Sequence, residues 1–338
     1  MDPVSHFFLE AWQGLEAPGS VFFWPYLVTY VVVTLAAVWV QGHRGLGAAL
    51  RAALPRDVYL SRAGRLDLVT SVIYMGLFDV PLRAAEVAVF GAAYGLVHGA
   101  AVDWLPALPV DTLAPGVEAL LAAAASVMAY DFATYVAHWL SHRYVVFWDL
   151  HAVHHSVTRL NPFSIYRDHP VDHLIRNGFR GVFSGTALGL LHAVLPRATW
   201  GSSVLGVGLG FFLYLLTVHL HHSPVTIRYP KWLRHVVLSP HMHHIHHSLD
   251  PRHHGKNLGV IFPFWDRLFG TYHDEEVTTG SLTYGLGAED GVRDSLLRCF
   301  TYPFLAPFER RKARKAQGPS GPVEESGKRA DVEPPRVA

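Results

Sequence analysis

Three short runs of histidine hold the residue types and spacing that could do chemistry: H-W-L-S-H at 138–142, H-A-V-H-H at 151–155 and H-H-I-H-H at 243–247. Twenty of the 23 histidines lie at or after His138. Imidazole suits zinc, iron, copper and nickel, so clustered histidine points to a metal without naming it. His138 and His142 stand at i and i+4, on one helical face and within reach of a single ion. In the other two runs the first histidine (His151, His243) shares a face with a later one. The adjacent pairs, His154–His155 and His246–His247, diverge by roughly 100° around a helix. Neighbouring histidines therefore aim at two points, and the runs together carry more imidazoles than one octahedral ion can take. The pattern predicts a histidine-dominated dinuclear centre.

Further candidates are His169 and His173, also at i and i+4, and the H-L-H-H run at 219–222. An isolated histidine is more often a surface or satisfied core residue than a ligand. That bland reading is kept for His219, His221, His235, His241, His244, His253, His254 and His273. One cysteine, Cys299, excludes an internal disulfide and any cysteine-based zinc or iron–sulfur site. Net charge is +1, which gives no global basic field for nucleic acid. Carboxylate di-iron bundles use Glu-x-x-His pairs, which this chain lacks.

The elements that position these residues belong to a membrane protein. Half of the 338 residues are hydrophobic, only 16% are charged, and the mean hydropathy is +0.20. Residues 21–40 carry no charge and match a hydrocarbon core of roughly 30 Å. Arg44, Arg51, Arg56, Arg62 and Arg65 follow, whereas residues 1–20 hold only Asp2, Glu10 and Glu16 as charges, so the N-terminus is expected outside and 41–66 in the cytoplasm. The charges Asp79, Arg83 and Glu86, with Pro81, divide the apolar stretch 66–102 into an interfacial or re-entrant helix at 67–80 and a span at 84–102. The loop 103–116 falls on the outer face. A third span at 117–137 delivers His138 to the inner surface. Along it Asp131, Tyr135, His138 and His142 form one stripe, and Asp131 is a candidate partner for an imidazole N–H. Residues 144–155 should be helical, with a loop at Asn161-Pro162 and a new helix from His169-Pro170. The apolar runs 182–195 and 198–218, joined at Pro196-Arg197, are expected to form a hairpin that dips into the bilayer and returns. The tail 309–338, with the basic cluster 310–315, should be disordered.

The order H-x3-H, H-x2-H-H, H-x2-H-H resembles the fatty acid hydroxylase/sterol desaturase superfamily of integral-membrane oxygenases. So do N-P-F-S-I-Y-R-D-H-P-V-D-H-L at 161–174, H-S at 222–223, S-P-H-M-H-H-I-H-H-S at 239–248, K-N-L-G at 256–259 and F-W-D-R-L-F-G-T-Y at 264–272. Two positions depart from the pattern: Leu258 replaces a common tyrosine, and Pro224 follows H-S. The resemblance implies a di-iron centre on the cytoplasmic face that activates O2 and removes hydrogen from an unactivated carbon of a lipid. Its ligands would be His138, His142, His151, His154, His155, His222, His243, His246 and His247, with His169 a tenth. Asp131, His173 and Asn257 would support them from behind. Two iron ions, O2, a membrane lipid and a separate electron donor (a cytochrome b5-like protein or a ferredoxin with its reductase) are implied.

The fold class expected is an all-α integral membrane protein with about four to five membrane-embedded helices and a cytoplasmic, histidine-rich helical cap. It divides into an extracytoplasmic N-terminus (1–20), an N-terminal transmembrane region (21–116), a catalytic domain (117–308) and the tail (309–338). A histidine-rich membrane zinc hydrolase and a metal transporter are the alternatives. The hydrolase calls for a catalytic carboxylate beside an open metal position, and the transporter for ligands near the bilayer midplane.

Overall fold

Proline, glycine and capping residues set where the helices start and stop. The computed structural model describes residues 24–43, 45–106, 115–195, 209–210, 213–214, 217–287, 291–292 and 294–316. The expected outer N-terminus 1–20, most of the run 198–218 and the tail beyond residue 316 lie outside the described residues. Helix α1 (Trp24–Val40) buries one stripe, Tyr26, Tyr30, Thr34 and Val38, at a spacing of four. Tyr30 packs on Leu220 and Ile227, and Tyr26 stacks on His219 with ring centroids 5.5 Å apart. After the short helix α2 (Leu46–Ala53), Ser61 caps α3 (Arg62–Ile73) by accepting from the Gly64 N–H at 2.9 Å.

The break expected near Asp79 and Pro81 does not occur. A π segment, Tyr74–Phe78, carries α3 directly into α4 (Asp79–Trp104), giving one helical stretch of 43 residues. The Asp79 N–H reaches back five residues to the Tyr74 carbonyl. This wider turn lets Pro81 fall in the first turn of α4, where a missing N–H is tolerated. Asp79 and Arg83 pair at 2.8 Å, so they enter the helix as a couple rather than as lone charges.

Helix α5 (Pro115–Arg143) and α6 (Val145–His155) follow, and Asn161 then caps a 3₁₀ turn at Pro162–Tyr166. His169 and Pro170 start α7 (Pro170–Val194), which has 25 residues. The run 182–195 is therefore the second half of a 25-residue helix, because nothing between Pro170 and Val194 interrupts it; the return arm of the expected hairpin lies mostly outside the described residues. The described residues continue through the short helix α8 (Pro240–His246) and a helical turn at Phe264–Phe269 to α9 (Leu296–Ala316). Helix α9 continues eight residues into the tail that was expected to be disordered; Asp149 of α6 accepts from Arg310 Nη2 at 2.6 Å, anchoring that extension. No strand occurs among the described residues, only a single antiparallel bridge between Ser248 and Tyr284.

The stretch Arg62–Trp104 and the helical residues Gly116–Arg143 are long and apolar enough to cross a membrane. Val80, Val87, Leu96, Val102 and Trp104 stay exposed along α4, as a lipid-facing surface requires. Its other side meets α7 through Gly181, Gly185 and Gly189. A Cβ at these positions would stand 2.8 Å from the Glu86 carbonyl oxygen, 2.5 Å from that of Phe90 and 3.0 Å from that of Tyr94. Small residues at i, i+4 and i+8 let two helix backbones touch where lipid offers no hydrophobic drive. Gly185→Ala is therefore expected to destabilise the protein by about 1–3 kcal/mol, read as a lower midpoint of thermal unfolding in detergent. Gly178→Ala on the same helix, with no atom within 4 Å of the added carbon, should leave that midpoint unchanged or raise it.

Candidate metal centre

Helices α5, α6 and α8 and the turn Val218–His221 bring nine histidines into two adjoining buried groups. The first is His138, His142, His151, His155 and His246; the second is His154, His222, His243 and His247. Within each group the candidate ligand atoms lie within 4.8 Å of one another. The divergence expected of adjacent histidines is realised twice, in opposite senses. In 151–155 the outer pair serves the first group and His154 the second, whereas in 243–247 the outer pair serves the second and His246 the first. The groups touch, with the rings of His155 and His247 stacked 4.4 Å apart.

The nitrogens that face inward fit a metal. In the first group all five Nε2 atoms are buried without a hydrogen-bond partner. An orphaned buried polar atom costs about 1–3 kcal/mol, so five in one place call for an ion. In the second group the Nε2 atoms of His222 and His247 each lie 3.0 Å from His243 Nε2, lone pairs converging on one point. Burial, then the neighbouring imidazoles, hold His155, His222, His243 and His247 well below the usual histidine range. Burial likewise brings His246 down to about 3. These rings are neutral at pH 7, the form that binds metal.

The outward nitrogens fix which tautomer faces in. His138 Nδ1–H donates to the Leu258 carbonyl at 2.8 Å and His246 Nδ1–H to the Lys256 carbonyl at 2.9 Å. His222 Nδ1–H donates to Ser164 Oγ at 2.7 Å, a hydroxyl whose own proton goes to the Asn161 carbonyl. His151 Nδ1 lies 3.1 Å from Asp172 Oδ2, and His154 Nδ1 lies 3.3 Å from Asp168 Oδ1. A proton held on Nδ1 leaves Nε2 free to ligate. Burial opposes the Asp168 carboxylate, yet the Arg176 guanidinium beside it, with His154 and His173, holds its carboxyl well below the usual range.

Segment 256–258 thus serves both His246 and His138, and Asn257 between them adopts a positive φ of 52° that turns successive carbonyls to two rings. Asn257 touches no imidazole of the centre: its side chain donates to the Met242 and His273 carbonyls and accepts from the His273 N–H, bracing the segment. Because residue 258 contributes its carbonyl, a leucine in place of the common tyrosine leaves the contact to His138 intact. Asp131 likewise differs from expectation. Its carboxylate accepts from the N–H groups of Ile261 and Phe262 and from Trp265 Nε1 at 2.9–3.1 Å, so it pins the loop that orients His138 instead of bonding an imidazole. His173 Nε2 sits 2.9 Å from Asp168 Oδ2, one step behind His154.

His169 does not join either group. Its Nδ1 accepts from the Val171 N–H and its Nε2–H donates to the Phe300 carbonyl, each at 3.2 Å, so it caps α7 with both ring nitrogens used. Asp168, Asp172, Arg176 and Ser164 were not singled out from sequence. The acid–histidine alternation in D-H-P-V-D-H at 168–173 is the signal that could have found the two aspartates. Asp172→Ala is expected to weaken metal binding about 10–100-fold in a chelator competition, while His169→Ala should leave the number of bound metals unchanged.

A family model for fatty acid hydroxylase matches residues 123–271. The chain is 29% identical to the ornithine lipid hydroxylase OlsE of Rhizobium tropici, over 55% of this chain and 49% of that protein. It is 26% identical to an alkylglycerol monooxygenase of Caenorhabditis elegans, over 45% of this chain and 28% of the relative. A Delta(7)-sterol 5(6)-desaturase, ERG3A of Gibberella zeae, matches at 22% identity over 82% of this chain and 70% of its own. The chain spans half or less of the length of the first two relatives. No solved structure matches it. Residues 123–271, which contain all nine converging histidines, are a fatty acid hydroxylase domain of the kind found in the fatty acid hydroxylase/sterol desaturase superfamily.

Proposed function

We propose that the protein is a membrane-bound oxygenase that uses O2 and external electrons to hydroxylate or desaturate an unactivated C–H position of a lipid. The observation that carries this reading is the pair of adjoining histidine groups with bare, inward-facing Nε2 atoms at the end of a membrane-length helix. Two iron ions held there would supply the O2 activation and the oxidising power that no side chain has. His138, His142, His151, His155 and His246 would hold one, and His154, His222, His243 and His247 the other. Asp172, Ser164 and the carbonyls of Lys256 and Leu258 keep the proton of His151, His222, His246 and His138 on Nδ1. Fully buried Val153, Leu220, Met242, Ile245 and Leu258 keep water from the centre.

The charge asymmetry around α1 supports an N-terminus outside and a multi-pass chain whose catalytic region, about 117–308, faces the cytoplasm. The two helices long and apolar enough to cross a membrane, with the shorter apolar α1 and the 25-residue α7, support the membrane-embedded count of about four to five. That arrangement lets a lipid enter from the bilayer and electrons arrive from a separate cytosolic donor. The names of the relatives (an ornithine lipid, an alkylglycerol and a sterol enzyme) favour an amphiphilic lipid as substrate. Transport is disfavoured because the ligands cluster at the end of α5 and in α6 and α8, away from mid-span.

Mössbauer spectroscopy on detergent-purified protein should find about two irons per chain as a coupled pair. His142→Ala or His247→Ala should lose iron and all product in a comparison of lipidomes with and without the gene, while still inserting in the membrane. Stoichiometric zinc with no iron after anaerobic reconstitution overturns the oxygenase reading.

A further inference from the structure

Outside the nine-histidine centre, one other group among the described residues has the donors and spacing of a metal site. His253 closes the 3₁₀ turn Pro251–His253 and is fully buried; His273 and Glu275 lie beyond the turn Phe264–Phe269, with side chains 30% exposed. His253 Nε2 is 2.9 Å from Glu275 Oε1, and His273 Nε2 is 3.3 Å from Glu275 Oε2. One donor atom from each of the three lies within 4.8 Å of the others. We propose that His253, His273 and Glu275 form a third, peripheral metal site that takes a zinc ion.

Two imidazoles and one carboxylate are a set that zinc takes, and donors about 2.0–2.1 Å from a tetrahedral ion stand roughly 3.3 Å apart. The distances here are already near that spacing. The partial exposure of His273 and Glu275 gives the ion an entry from solvent and leaves a fourth position for water. Both sides of the site are held by the main chain: the His253 N–H donates to the Asp250 carbonyl at 2.9 Å, and His273 exchanges two 2.8 Å bonds with the Asn257 side chain. The guanidinium of Arg252 reaches Glu275 Oε2 only at 3.8 Å. It is 69% exposed and bonds Asp250 Oδ2 at 2.6 Å, so it need not occupy the place of the ion.

The site ties residue 253 to residues 273 and 275, closing a loop that contains Lys256, Asn257, Leu258 and Asp266. An ion there fastens both ends of the segment whose carbonyls orient His246 and His138. Closing a loop of this length removes chain entropy from the unfolded state, as a cross-link does. The peripheral zinc is a structural clip beneath the central ligands, without a place in the reaction itself.

The test compares wild-type protein with His273→Ala and Glu275→Gln, substitutions at partly exposed positions, each confirmed monodisperse in detergent. Titrated with Co2+ alone after chelator treatment, the wild type should take up one equivalent more than either variant and show stronger d–d absorption from the added tetrahedral site. His273→Cys, which restores a zinc ligand while removing the imidazole pairing with Glu275, should recover that equivalent and the higher thermal midpoint. Equal uptake by wild type, His273→Ala and Glu275→Gln overturns the third site and shows a plain ion-pair network. Because the readout is a difference between chains, it stands whichever metal the nine-histidine centre prefers.

Discussion

Nine imidazoles buried side by side must find partners for nitrogens that water does not reach, and meeting this need for the rings that carry an acceptor organises the rest of the molecule. Inward, the Nε2 lone pairs of the first group have nothing to meet but an ion. Outward, four of the rings place Nδ1 beside an acceptor in a site water does not reach. The acceptors come from wherever backbone or carboxylate can be placed: Leu258 and Lys256 for His138 and His246, Asp172 for His151, Ser164 for His222. The fold behind the centre is built to hold those acceptors still.

Two buried anchors do most of that holding. Asp131 and Asp266 collect five backbone or indole N–H groups of the 258–265 loop, fixing the loop against α5. Tyr135 adds a bond to Thr271, so the whole stripe below His138 faces this segment. On the other side Arg167, fully buried, bonds Asp67 at 2.6 Å, the Ala63 carbonyl at 3.0 Å and Asp294 at 2.9 Å. Asp67 in turn accepts from Asn161, which caps the 3₁₀ turn carrying Ser164. Removing one partner of such a pair would leave a charge buried and alone, which is far more damaging than never having had the pair. The centre is thus coupled to α3 as well as to the helices that bear its ligands.

Eight of the nine central histidines were legible because their spacing is a property of the helix alone, i and i+4 sharing a face and i and i+1 not; His222 was reached as a ligand only through the family resemblance. The stripe Asp131–His142 was legible for the same reason, but its partner was not. Any residue offers a carbonyl, so nothing in the letters K-N-L distinguishes Lys256 and Leu258 as acceptors, and the positive φ of Asn257 that makes them so is a feature of the folded loop. His169 misled because its neighbour Pro170 starts a helix, and a histidine before such a proline has the competing role of cap. Charges also misled at Asp79 and Arg83. Read singly they break a span, whereas paired across a turn next to a π segment they continue it. The histidine–acid cluster at 253, 273 and 275 is spread over 23 residues and shows no helical spacing, so only the folded chain brings it together.

The opposite phasing of the two H-x-x-H-H runs has a structural consequence of its own. If both runs sent their outer pair to the first group, it would hold six imidazoles with His138 and His142, and the second only three with His222. Instead α6 gives two ligands to the first group and one to the second, and the run 243–247 gives one and two. Neither group is complete unless α6 and α8 are both docked, and docking them for one group positions the other. Metal binding at either group therefore stabilises the same helix arrangement, since an ion that binds only the folded state adds its binding free energy to folding. A five-nitrogen and a four-nitrogen group held 4.4 Å apart at their nearest rings are in this sense one site with two positions, made inseparable by which residue in each run comes next.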